Sequence, residues 1–176
     1  MTYTSFGFGN PAPVKRKVFV SYHHGRDQHY YDAFSATFDN GYEVLSDRSL
    51  ERARNSDDPE YILRYIRERH LTGSSTIIVL CGVETPLRKY VDWEIHAALS
   101  QGTAMLGVKL PPLQVVNGGC FKPARLQDNI DSQYAKWVHW ESIINNPSNL
   151  IHHIELANAS PKTLINNTRA RVYRNG

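Results

Sequence analysis

Residues 76–101 read TIIVLCGVETPLRKYVDWEIHAALSQ, and this stretch decides the fold. Residues 76–80 are apolar after Thr76 and β-branched up to Leu80, which predicts a strand buried on both faces, at the centre of a parallel sheet. A loop with Gly82, Thr85 and Pro86 follows. Residues 90–101 then place Val91, Ile95, Ala98 and Leu99 on one helical face, and Gly102 stops the helix. A central strand followed by a helix is half of a crossover unit.

The pattern continues outward in both directions. Residues 17–22 (KVFVSY) read as a strand bounded by His24-Gly25. Residues 27–38 read as a helix with Tyr30, Phe34 and Phe38 on its buried face, and residues 42–45 as a short strand. Residues 46–58 are polar and loop-like. Asp58-Pro59 is a capped helix start whose stripe is Ile62, Leu63 and Ile66. Beyond the central helix come a strand at 104–108, a long irregular connection over 109–135 and a strand at 136–140. A final helix from Pro147 buries Leu150, Ile151, Ile154 and Ala157. Such alternation predicts an α/β protein with a parallel sheet between helices.

The chain has 176 residues, 41% hydrophobic and 21% charged. That suits one ordinary domain and is too apolar for a disordered chain. Two cysteines, Cys81 and Cys120, exclude a disulfide scaffold. No run of ~18 apolar residues suggests a membrane span, and residues 1–14 do not resemble a secretory signal. A cytoplasmic protein is expected. Net charge is +3, yet residues 160–176 hold Lys162, Arg169, Arg171 and Arg174 without an acid. The expected organisation is an arm over 1–14, a domain over 15–159 and a solvated basic tail over 160–176. The remainder is near neutral, so nucleic acid is not an expected partner.

In an open parallel sheet, ligands bind beyond the carboxyl ends of the strands. That edge collects Ser21, Tyr22, His23 and Arg26 after the first strand, and Ser46 and Asp47 after the second. Gly82, Glu84 and Thr85 follow the third. Glu94 sits on the flank of the next helix, where a carboxylate can turn toward the same edge and stabilise a cationic sugar intermediate. The plainer reading of helical geometry is a surface glutamate paired with Lys89 or Arg88. The adjacent pairs His23-His24 and His152-His153 diverge too far to chelate one ion, so no metal site is expected. Cys81 directly follows a buried strand and reads as a small core residue. No phosphate-binding glycine loop is present, and the acids that hold magnesium in response regulators are absent from the ends of the first and third strands.

Residues 17–23 (KVFVSYH) and 76–82 (TIIVLCG), with Thr85, Arg88, Val91, Glu94 and Ile95 at their spacing, resemble the TIR-like family, in particular the small TIR-like proteins of bacterial Thoeris anti-phage systems. The likeness covers roughly residues 16–110. It implies a flavodoxin-like open parallel sheet of about five strands with helices on both faces. It implies cleavage of the nicotinamide–ribose bond of NAD, which is substrate, with no prosthetic group. By position Glu94 is the catalytic glutamate. Phe19, Tyr22 or Trp93 would stack on a base, and Ser21, His23 and Arg26 would meet ribose or diphosphate. Ser46, Asp47, Gly82 and Thr85 complete the expected site. The ADP-ribose product would become a cyclic or conjugated signal for a separate effector protein, and self-association would complete the enzyme. Some relatives serve instead as non-catalytic modules that act by protein assembly.

Overall fold

The computed structural model describes residues 15–46 and 58–176. Five strands, β1 (Arg16–Ser21), β2 (Tyr42–Ser46), β3 (Ser74–Cys81), β4 (Ala104–Lys109) and β5 (Lys136–His139), form one sheet in the order β2-β1-β3-β4-β5. Every neighbouring pair is parallel. The register sets Phe19 beside Ile77, Ile78 beside Leu106, and Val108 beside Val138. This is the flavodoxin-like order, and strand progression reverses between β1 and β3.

Both faces of the sheet are covered, which is why its strands read as apolar runs. Helices α1 (Gln28–Phe38), α5 (Trp140–Ile144) and α6 (Pro147–Asn158) pack on Val18, Val20, Ile78, Leu80, Leu106 and Val108. Helices α2 (Pro59–Ile66), α3 (Lys89–Ser100) and α4 (Ala124–Asp131) pack on Phe19, Ile77, Val79 and Met105. Asp58 caps α2 by accepting from the Glu60 amide at 3.0 Å. Gly102 closes α3 at φ +67°, a left-handed conformation that favours glycine.

Several expectations are corrected. The buried face of α1 is Tyr31, Phe34 and Phe38, while Tyr30 sets its ring edge against Trp140. Ile151 on α6 is exposed. The connection over 109–135 contains the two-turn helix α4. The basic tail is not free in solvent: it keeps an exposed outer side but is anchored along α3 and α4. Arg125 of α4 is fully buried and forms an ion pair with Asp92 of α3 at 2.9 Å. Its remaining donors reach Asn167 Oδ1 at 2.8 Å and the carbonyls of Arg169 and Ala170 at 2.9 and 3.1 Å. Val172 accepts from Trp93 Nε1 at 2.6 Å and donates its amide to Asp92 at 2.9 Å. The body therefore does not end at 159. The expected arm over 1–14 lies outside the described residues, as does most of the loop expected over 46–58.

Candidate functional site

The sheet edge at the carboxyl ends of β1 and β3 is built from two short segments and a charged cluster between them. The first is the end of β1 with the turn that follows it. Ser21 is buried there, and its hydroxyl donates to Glu94 Oε2. Glu94 comes from the second turn of α3 and is only 3% exposed. The expected flank position, and the pairing with Lys89 or Arg88, are thus corrected. The tail covers the Asp92–Trp93 side of α3, so this helix is buried on more faces than its apolar stripe requires.

The second segment is the loop after β3. Thr85 Oγ1 accepts from the Gly82 amide at 2.9 Å and lies 3.3 Å from both the Leu80 carbonyl and Asp27 Oδ2. A Cβ at Gly82 would collide with both carboxyl oxygens of Asp27. Gly82 and Thr85 therefore shape the loop around Asp27. Thr85, buried with its hydroxyl engaged, does not face a ligand.

Asp27 is the residue that sequence reasoning missed. It precedes α1, where an aspartate reads as a helix cap, yet it makes no cap bond and turns under Gly82. Burial raises its pKa above the usual carboxylate value, opposed by His23 and by the Thr85 hydroxyl. Nothing in the local sequence separates this conformation from an ordinary cap.

A charged cluster joins the two segments at this edge. His23 Nδ1 accepts from the Arg26 amide at 2.9 Å, so the neutral ring carries its proton on Nε2. That nitrogen stands 3.7 Å from Glu84 Oε2. Arg26 Nε donates to Glu84 Oε1 at 2.7 Å, and Arg88 Nη2 donates to Glu84 Oε2. Burial first, and then the Arg88 charge, hold the His23 pKa below its ordinary value.

The structure thus brings together Ser21 with Glu94, and His23 with Arg26. It does not offer the aromatic residues to a ligand. Phe19 is wholly within the core. Tyr22 is buried, stacked on Tyr31 and His24, with its hydroxyl bonded to Gln28 at 2.9 Å. Trp93 is held by the tail. These three are corrected from stacking residues to packing residues, because the expected planes are already covered by the protein's own atoms. The Ser46 backbone closes β2 beside Val20; its side chain and Asp47 lie outside the described residues. Burial pushes the Cys81 thiol far above its ordinary value, which leaves no thiolate nucleophile.

Chemically, the arrangement offers a buried carboxylate with a hydroxyl donor, next to a cationic rim. Residues 19–114, more than half of the chain, match the family described as Thoeris protein ThsB, TIR-like domain. Among solved structures, the chain is similar to the TIR domains of the activated Roq1 resistosome directly recognising the pathogen effector XopQ. Identity there is 12%, coverage is 82% of each chain, and the TM-score is 0.40. No curated protein matches the chain.

Proposed function

Because the chain belongs to the TIR-like domain family of the Thoeris protein ThsB, we propose that it is an NAD-cleaving enzyme of bacterial anti-phage defence. It releases nicotinamide and converts the ADP-ribose part into a cyclic or conjugated nucleotide signal, which a separate effector protein reads. The observation that carries this reading is the buried Glu94 carboxylate, held by Ser21 at the sheet's switch point.

In this reading the bond between ribose C1′ and the nicotinamide nitrogen breaks, and nicotinamide leaves with the electron pair as a neutral molecule. The ribose becomes an oxocarbenium-like cation. Glu94 stabilises that cation, more strongly in a water-poor crevice than in bulk water. Ser21 fixes the rotamer of Glu94, so little reorganisation is needed at the transition state. A nucleophile then captures C1′: water gives ADP-ribose, and a second nucleotide group gives a cyclic or conjugated product. Self-association brings the enzyme to its active form.

The test is nicotinamide release from NAD by wild type and Glu94→Gln, each over a concentration series and in lysates of phage-infected cells. Wild type releases nicotinamide; the variant, nearly isosteric and still able to accept from Ser21, keeps its fold and loses at least a hundredfold in rate. Wild-type turnover in the variant, or none in the wild type under every condition, would overturn the proposal. A non-catalytic assembly module is the second reading, favoured by the exposed Val115, Val116 and Phe121 in the loop after β4.

A further inference from the structure

Glu84 draws three cationic or proton-bearing groups onto one carboxylate. Arg26 and Arg88 each donate to a different oxygen, and His23 Nε2 stands 3.7 Å away. Two guanidinium groups on two oxygens is also the way arginines grip a phosphate. Two guanidinium groups meet on the one carboxylate of Glu84, with the buried Asp27 also acting on His23, and Arg26 remains 68% exposed. Moreover, Arg88 Nε is buried with no hydrogen-bond partner among the described residues. Buried donors are normally satisfied, and an orphan calls for an absent acceptor.

A purely structural ion-pair network would pin the loop after β3 to the turn after β1. It would not leave a buried donor of Arg88 empty. We infer that Arg26 and Arg88 form an anion subsite for the diphosphate of the substrate, and that Glu84 occupies it in the free protein as an internal stand-in. Identifying the anion as a nucleotide diphosphate rests on the NAD reading; the subsite itself rests on the cluster.

Position supports the assignment. Arg88 immediately precedes α3, and Glu94 lies six residues further, about 9 Å along the helix axis at 1.5 Å per residue. A nucleotide with its anomeric carbon at Glu94 would carry its 5′-phosphate over part of that span, and the long Arg88 side chain covers the rest. Incoming diphosphate exchanges one carboxylate for two anionic groups and supplies an acceptor for Arg88 Nε. Glu84 then swings into solvent, so the free enzyme carries a built-in competitor for its own substrate.

Inorganic pyrophosphate is the probe, titrated calorimetrically at low salt into wild type, Glu84→Gln and Arg88→Gln. Glu84→Gln should bind at least tenfold more tightly than wild type, and Arg88→Gln at least tenfold more weakly. Equal or weaker binding by Glu84→Gln, or undiminished binding by Arg88→Gln, would overturn the inference. If near-ultraviolet dichroism shows Glu84→Gln to be unfolded, thermal shift decides: pyrophosphate must raise the Tm of wild type and not that of Arg88→Gln, and any other pattern sinks the subsite. Pyrophosphate binding that obeys these rules in a protein releasing no nicotinamide would keep the subsite and discard the cleavage reading. Nicotinamide release indifferent to Arg88 and pyrophosphate would do the reverse.

Discussion

Asp27 shows how one side chain escapes a sequence reading and still governs the site. Its carboxyl fills the space that Gly82 leaves by having no Cβ, and Thr85 is the hydroxyl beside it. Burial raises its pKa from 3.8, so the fold holds the proton on Asp27 more tightly than the unfolded chain does. The contribution of this group to stability is complete below the unfolded pKa and is lost as pH rises through the higher folded value. Asparagine stays neutral with nearly the same shape. Asp27→Asn should therefore gain stability relative to wild type as pH is raised above the unfolded value of 3.8 and through the higher folded one. Urea titrations at several pH values check this; stability curves that stay parallel across that range would show that Asp27 ionises in the fold without cost. Glu94 is the opposite case. Its place on the helix was legible from the spacing of Val91, Ile95 and Ala98, but its depth was not. That depth goes with Ser21, 73 residues earlier in the chain, and helical periodicity does not record such a contact.

Elements were legible to the extent that their own side chains explain their burial. The strands announce themselves because a parallel sheet between helices must be apolar on both faces. Helix α4 did not, because its sequence ARLQDNID has one fully buried apolar residue, Leu126, and its anchor is Arg125. Arginine is almost never fully buried unless paired, and the partner, Asp92, is 33 residues earlier. The same helix explains a glycine that the strand reading passed over. Gly107 lies in the middle of β4, and a Cβ there would stand 2.6 Å from the Trp137 ring and 3.0 Å from Leu126. Ring, strand and helix are all fixed, so none can yield cheaply. Gly107→Ala should destabilise the protein by about 1–3 kcal/mol, the usual cost of overpacking a filled core. Chemical denaturation measures it directly, and an unchanged midpoint would mean that α4 is free to retreat from the sheet.

At the scale of the whole molecule, charge composition misled where geometry does not. A segment with four cations and no acid reads as solvated because the sequence does not display its acceptors. In the fold, Arg169 and Arg171 meet Asp128 and Glu60, but these pairs are largely exposed and contribute little. The stronger attachment is made by backbone groups. Two tail carbonyls and Asn167 receive the buried Arg125, and the Val172 amide serves Asp92. The Gly176 amide reaches the Leu87 carbonyl, just ahead of α3. Truncation after Ser160 would strip these partners, and the cover the tail gives, from Arg125 and Asp92, which keep only each other. Leaving buried charges under-satisfied costs on the order of 3–5 kcal/mol. At about 2–4 °C per kcal/mol for a domain of this size, Tm should fall by about 10 °C. Because the tail also grips Asp92 and Trp93, the residues just before Glu94, nicotinamide release should fall with it, even at temperatures where the truncated chain is folded. Calorimetry and nicotinamide assays on the same preparation separate the two effects. A Tm within about 3 °C of wild type, the change expected for about 1 kcal/mol, would mean that the tail rests on α3 without supporting it, and that composition had judged the segment correctly.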